Sequence, residues 1–217
     1  MSGKQLFAKD LAVFLPHPRN VKEIEDVLKK DPALKGYNVK VYARIKDLLA
    51  SSTSSKTALI LPGVFEEKPP ENYVSVASFL VGGKAEVDIK LVTLGKTDKS
   101  AKPVLGSIDL FGDRRQAKKL AKSLTDNKIK RVKLVQKAVD LYPMLNLNNV
   151  NQILLFDQDV NYIEKMSEVK LNVIGSKRIK TPHIFVKSED KELHQSLLKI
   201  GSKTLRSFGY ESVGSVK

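Results

Sequence analysis

The sequence contains no cysteine, which excludes disulfides, thiolate nucleophiles and thiolate metal sites. It has no tryptophan, and aromatic residues make up only 6%. Those aromatics sit mostly inside apolar runs, where core packing accounts for them, so a base-stacking surface has little to build from. No apolar run approaches the roughly 20 residues that a membrane-spanning helix needs. Glycine (12) and proline (9) are few and hydrophobic residues reach 41%, which excludes a collagen-like or wholly disordered chain. No nucleophile elbow, phosphate loop, dinucleotide fingerprint or paired-histidine zinc motif occurs. The three histidines, His17, His183 and His194, show no metal-ligand spacing. The chain is therefore read as a non-enzyme, with no cofactor and no metal.

What the sequence does have is size and positive charge. Its 217 residues allow one large domain or two small ones. Lysine and arginine outnumber aspartate and glutamate 38 to 24, a net charge of +14, which points to an anionic ligand, partner or surrounding surface. The densest basic run starts at Arg114-Arg115, continues through Lys118, Lys119 and Lys122, and ends at Lys128, Lys130, Arg131 and Lys133. A solvated lysine coat is the plain reading of it. A nucleic-acid surface would need a recognised module or stacking aromatics as well.

The chain repeats its own plan. Leu11 to Pro16 (LAVFLP) is a continuous apolar run and reads as a buried strand. Val21 to Lys30 carries Val21, Ile24, Val27 and Leu28 at helical spacing behind Asn20 as N-cap. Tyr37 to Val41 alternates like a strand, Ile45 to Ala50 reads as a short helix, and Ala58 to Leu61 (ALIL) is a third buried strand. The same order returns in the strand Val104–Leu110, the helix Asp113–Leu124 and the strand Ile129–Val135. It finishes with the short helix Ala138–Leu145 and the strand Gln152–Phe156. First and second strands lie about 28 residues apart in one half and about 27 in the other; second and third, about 18 and 20. Strand–helix–strand units of this kind form parallel sheets.

The expected fold class is α/β, with two similar Rossmann-like lobes joined by a two-stranded hinge. One continuous doubly wound sheet is the rival. Lobe 1 is expected to span 1–95 plus 180–217, and lobe 2 to span 96–179. The polar stretches Thr93–Ala101 and Gly175–Thr181 are the expected hinge strands. Strands are expected at Val169–Ile174 and His183–Val186, and a helical end at Ser188–Phe208, returns to lobe 1.

Three stretches carry a family resemblance: IKDLLASSTSSKTALILPG, VLGSIDLFGDRRQAKKLAKSL and AVDLYPMLNLNNVNQILLFDQDVNYIEK. Together they resemble a type II periplasmic binding protein, the solute receptor of ABC transporters, in its phosphate/phosphonate-like branch. The likeness runs from Asp10 to Tyr210, and the chain is short for that family. Where such a protein would carry a Ser/Thr-rich phosphate cradle, this sequence reads Phe111-Gly112-Asp113-Arg114-Arg115, and Asp113 would repel a phosphate unless paired. The resemblance implies a monomeric receptor that captures a small, anionic ligand in an interlobe cleft and hands it to an ABC transporter permease. Its location would be periplasmic or otherwise extracytoplasmic. Met1–Gln5 lacks the apolar core of a signal peptide, which fits either a cytoplasmic protein or a chain that starts at a mature end with an added Met. No nucleic-acid partner is expected. The alternatives are a basic α/β nucleic-acid-binding protein and an enzyme on the same fold.

In open α/β sheets ligands sit at the carboxyl ends of strands, near helix N-termini. That rule selects His17, Arg19, Asn20 and Gly63 in the first half, and Asp109, Gly112, Asp113, Arg114 and Asp157 in the second. Arg19 and Arg114 are the candidate anion ligands, because a guanidinium grips a carboxylate or phosphate with two parallel hydrogen bonds. His17 is a candidate donor to ligand. Asp157 and Asp159 would hold a metal only with further oxygen ligands, and a strand end with a helix cap is the plainer reading.

Overall fold

The computed structural model describes residues 9–15, 20–51, 57–95, 102–110 and 113–216. Apolar strand β1 (Lys9–Val13) leads to helix α1 (Val21–Lys29). The Asn20 side chain accepts the Glu23 N–H at 2.9 Å and starts that helix, and Ile24 and Leu28 turn inward. β2 (Tyr37–Val41), α2 (Ile45–Ser51) and β3 (Thr57–Leu61) complete the first unit. β4 (Tyr73–Leu80) and β5 (Glu86–Thr93) follow.

The second unit is β6 (Val104–Ile108), α3 (Arg114–Lys122), β7 (Arg131–Val135), α4 (Leu141–Asn146) and β8 (Gln152–Phe156). α5 (Asp157–Ser167), β9 (Asn172–Lys180), β10 (His183–Lys187), α6 (Ser202–Arg206) and β11 (Ser212–Ser215) end the chain. The stretch read as one C-terminal helix is mostly 3-10 turns, Ser188–Asp190 and Glu192–Lys199, before the short α6.

The strands build two sheets, not one. The first has the order β11-β4-β10-β3-β1-β2, and the second β7-β6-β8-β5-β9. In each, three parallel strands place the first of the unit between the second and third. An antiparallel strand then flanks the third: β10 beside β3 in lobe 1, and β5 beside β8 in lobe 2. Each lobe thus receives that flanking strand from the far side of an interlobe crossing.

This pairing moves the expected boundaries. β5, which the 1–95 limit assigned to lobe 1, pairs with β8 and β9 in the second sheet. The chain therefore leaves lobe 1 between β4 and β5. There Gly82 and Gly83 hold positive φ (56° and 74°) and close a tight turn bridged by Val81 and Lys84. Thr93, expected in a hinge, pairs with Asn172 inside lobe 2; residues 96–101 lie outside the described residues. Gly175–Thr181 is not a polar link either. All but Thr181 belongs to β9, whose side chains are polar because it is the edge of its sheet. The return crossing is Thr181–Pro182 alone. Its Thr181 N–H donates to the Ala85 carbonyl at 3.0 Å, so the two crossings hold each other.

Period-2 alternation sorts the core of lobe 1. Leu11, Val13, Ile60 and Ile184 face α1 and the C-terminal segment, while Ala12, Leu59, Leu61 and Phe185 face Ile45 and Leu48 of α2. Lobe 2 has a single continuous core, which takes in Leu105, Ile153, Leu154, Leu155, Ala117, Ala121, Leu141 and Ile163.

Candidate functional site: the cleft between the lobes

The parallel strands of each lobe send their carboxyl ends toward the other lobe, and the turns beyond them line two of the interlobe cavities; a further one, about 630 Å³, lies between Phe65 and Glu67 of lobe 1 and Gln116, Lys119 and Lys177 of lobe 2. The larger of the two is about 740 Å³. Lobe 1 contributes Asn20 and Glu23 at the start of α1, with Ser207–Gly209 near the C-terminus; lobe 2 contributes Lys137, Gln158, Asp159 and Tyr162. The second is about 580 Å³, between Arg44, Lys46 and Asp47 of lobe 1 and Asp109, Asp113, Arg114 and Arg115 of lobe 2.

In the second cavity the charges are partly engaged. The Arg44 guanidinium donates to both oxygens of Asp47, at 2.7 and 3.1 Å. Asp113 caps α3, its Oδ1 accepting the Arg115 N–H at 2.8 Å. Asp109 follows the end of β6 and is half-buried, with Oδ1 unpartnered among the described residues. Arg114 and Arg115 are exposed and form no ion pair among the described residues. Four cations thus face three carboxylates, and two guanidinium groups remain free to grip an anion.

The larger cavity has a different character. Asp159, in the first turn of α5, is 2% exposed and its Oδ2 has no partner among the described residues. Burial pushes its carboxyl up to about 7, partly opposed by a hydrogen bond from the Phe156 backbone. Nearby Tyr210 is also buried; burial and then the Asp159 charge push its hydroxyl well above the ordinary tyrosine range. The C-terminal segment meets α5 closely here. Gly209 has φ +84°, and a Cβ on it would lie 1.9 Å from Gln158 Oε1. That contact joins the lobes.

The residues selected from sequence are scattered over this landscape. Asn20 lines the larger cavity; Asp109, Asp113 and Arg114 line the second. His17, Arg19 and Gly112 lie outside the described residues. Asp157 is ion-paired to Lys90 of β5, on the sheet rather than in a cavity. Gly63 packs against the hinge: a Cβ on it would sit 2.2 Å from the Thr181 carbonyl oxygen. Sequence reasoning passed over Arg44 and Lys137. Both stand in turns beyond parallel strands, β2 and β7, so the strand-end rule applied to every strand would have selected them.

The remaining histidines are structural. His183 Nδ1 bonds Ser75 Oγ at 2.8 Å and His194 Nδ1 bonds Tyr37 Oη at 3.0 Å. Burial lowers the pKa of both. Among the described residues no group of three or more histidines and carboxylates is arranged to hold a metal ion.

No family model and no curated protein matches this sequence. Solved structures do match it. The chain is similar to a binding protein component of an ABC phosphonate transporter from Pseudomonas aeruginosa, with TM-score 0.66 and 11% identity over 96% of this chain and 81% of that one. It is similar to a Xanthomonas citri protein bound to ATP, with TM-score 0.68 and 10% identity over 96% and 91% of the two chains. It is also similar to an ABC uptake transporter substrate-binding protein from Streptococcus pneumoniae with bound histidine, with TM-score 0.58 and 14% identity over 92% and 85%. What is shared is the fold, two mixed α/β lobes. The chain has the two-lobed fold of a type II periplasmic binding protein.

Proposed function

We propose that this protein is a solute-binding receptor that captures a small, anionic ligand between its lobes and presents it to an ABC transporter permease outside the cytoplasm. The observation that carries the reading is the second cavity, where Arg44 and Lys46 of lobe 1 face Arg114 and Arg115 of lobe 2 across about 580 Å³. An anion held there is gripped from both lobes, so binding favours the arrangement that brings them together. Arg114 and Arg115 supply the guanidinium contacts, and Asp109 accepts from a ligand hydroxyl or amine. Asn20 and Asp113 fix the helix starts. Gly63 and Asp157 support the site rather than touch the ligand.

Fold neighbours named for a phosphonate transporter and for bound ATP support a phospho-anion; the neighbour with histidine marks the alternative, an amino acid. In this reading the receptor acts as a monomer and makes or breaks no bond. Isothermal titration with inorganic phosphate, methylphosphonate and ATP tests it. Binding of at least one is expected, weakened by about tenfold or more in Arg114→Ala/Arg115→Ala. If none of the three binds, the anionic ligand is wrong.

A further inference from the structure

The two lobes fold the same unit with very different charge. From α1 to the end of β2, residues 21–41 carry five basic and four acidic residues, a net of +1. From α3 to the end of β7, residues 114–135 carry nine basic residues and one acidic, Asp126, a net of +8 in a chain of net +14. The fold itself does not ask for this charge, since lobe 1 reaches the same architecture without it.

Nor does the charge stabilise α3. Arg114 and Arg115 stand in the first turn of the helix, where its dipole disfavours cations. Arg114–Lys118, Arg115–Lys119 and Lys118–Lys122 are like charges at i,i+4, which repel. α3 has no acidic residue of its own, whereas α1 pairs Lys29 with Glu25. None of the nine cations forms an ion pair among the described residues, and seven are exposed; Lys118 and Lys133 are half-buried.

The placement is that of a rim. α3 packs on β7, the edge strand of its sheet. The helix starts at the cleft and runs back about 13 Å. Lys128, Lys130 and Arg131 lie at the amino end of β7, the end remote from the cleft. Most of the charge therefore lies beside and behind the cleft, not in it. Residues 114–133 include no aromatic side chain, and Lys122, Lys128, Lys130 and Arg131 line none of the cavities described above. Lys119 lines a cavity of about 630 Å³ shared with Phe65 and Glu67 of lobe 1, but Lys122, Lys128, Lys130 and Arg131 stand outside it, and the rim they form offers charge without stacking groups of its own, which suits a broad sheet of phosphates.

We propose that this rim of lobe 2 docks the protein on a bilayer surface rich in anionic phospholipid headgroups, with the cleft opening to the side. The choice of a membrane over a nucleic acid rests on the receptor reading, which puts the partner permease in the bilayer.

Vesicle flotation tests it, with phosphatidylglycerol–phosphatidylcholine vesicles and pure phosphatidylcholine vesicles. The intact protein is expected to float only with the anionic vesicles and to be released by salt. Lys122→Glu/Lys128→Glu/Lys130→Glu should lower partitioning by at least about tenfold. Lys22→Glu/Lys30→Glu/Lys35→Glu on lobe 1 makes the same change in net charge and should lower it far less. Circular dichroism confirms that both triple variants fold. Equal loss in the two variants reduces the effect to net charge and overturns the proposal. So does absence of binding to anionic vesicles, or tighter binding of duplex DNA at matched phosphate concentration. Flotation is scored without ligand, and the phospho-anion titrations are scored without vesicles, so the two readings fail separately.

Discussion

Lobes 1 and 2 start from the same strand–helix–strand–helix–strand unit and end as different objects. In lobe 1 the strands β1, β2 and β3 are joined by β10, β4 and β11, and the sheet is covered on both faces by separate clusters of side chains. In lobe 2 the sheet is smaller, its core is continuous, and its outer helix α3 carries five basic residues and no acidic one. The unit fixes where apolar residues fall, because they must reach the core at period 2 or 3.6. It leaves the solvent-facing residues free, and there function can write different charge on each copy.

The comparison can be broken in several places. The largest effects belong to the equivalent central strands. Leu11 of β1 and Leu105 of β6 are both fully buried. Leu11→Ala and Leu105→Ala should each cost about 2–5 kcal/mol. Because the lobes have separate cores, calorimetry should show each substitution lowering chiefly the transition of its own lobe. Equal shifts of a single transition would mean that the lobes unfold as one.

The junction between the lobes comes next. Asp159 keeps its proton in the folded protein up to about pH 7, against an ordinary carboxyl value of 3.8. The folded state therefore binds more protons than the unfolded chain between those values. This group's stabilising contribution is full below about pH 4 and is lost as pH rises through 7. Asp159→Asn should be more stable than the parent at about pH 8, by up to about 4 kcal/mol, with little difference at about pH 4. Denaturant melts across this range check it; parallel stability profiles for the two proteins would contradict it.

Two glycines give the smaller contrast. At Gly63 a Cβ meets the Thr181 carbonyl at 2.2 Å and the Lys180 carbonyl carbon at 2.7 Å, both backbone atoms of the hinge. At Gly106 in β6 it meets only methyl groups, of Leu141 at 2.9 Å and Ile153 at 3.0 Å. Side-chain ends yield more easily than backbone. Gly63→Ala should therefore cost about 2–3 kcal/mol and Gly106→Ala about 1 kcal/mol, measured by denaturant unfolding. The reverse order would mean that the hinge gives way more readily than the lobe 2 core.

The repeat was legible in the sequence because buried strands such as ALIL and QILLF are apolar on both faces and the capped helices between them keep a 3.6-residue period. The crossings were not. Polarity marks exposure, and residues 175–180 are polar because they belong to an edge strand, not because the chain leaves a lobe there. The true exit is a two-glycine turn, which looks like any hairpin until its two strands diverge into different sheets. The site was legible only in outline. The strand-end rule finds turns, as it did for Asn20 and Arg114, but which turns face each other depends on lobe packing. Asp159 shows the gap most plainly: as a residue in the first turn of a helix it reads as a cap, yet in the fold it is buried, close to the C-terminal segment with Gly209 and Tyr210.

Since the sequence has no cysteine, two introduced ones are the only sites a thiol-reactive spin label can take. Labels at Ala50→Cys on α2 and Lys122→Cys on α3, both exposed positions on opposite lobes, report the interlobe distance by pulsed electron paramagnetic resonance. With the tightest-binding of phosphate, methylphosphonate and ATP at saturation, the distance distribution should move to a shorter, narrower peak. An unchanged distribution at saturation would contradict a receptor that closes on its ligand.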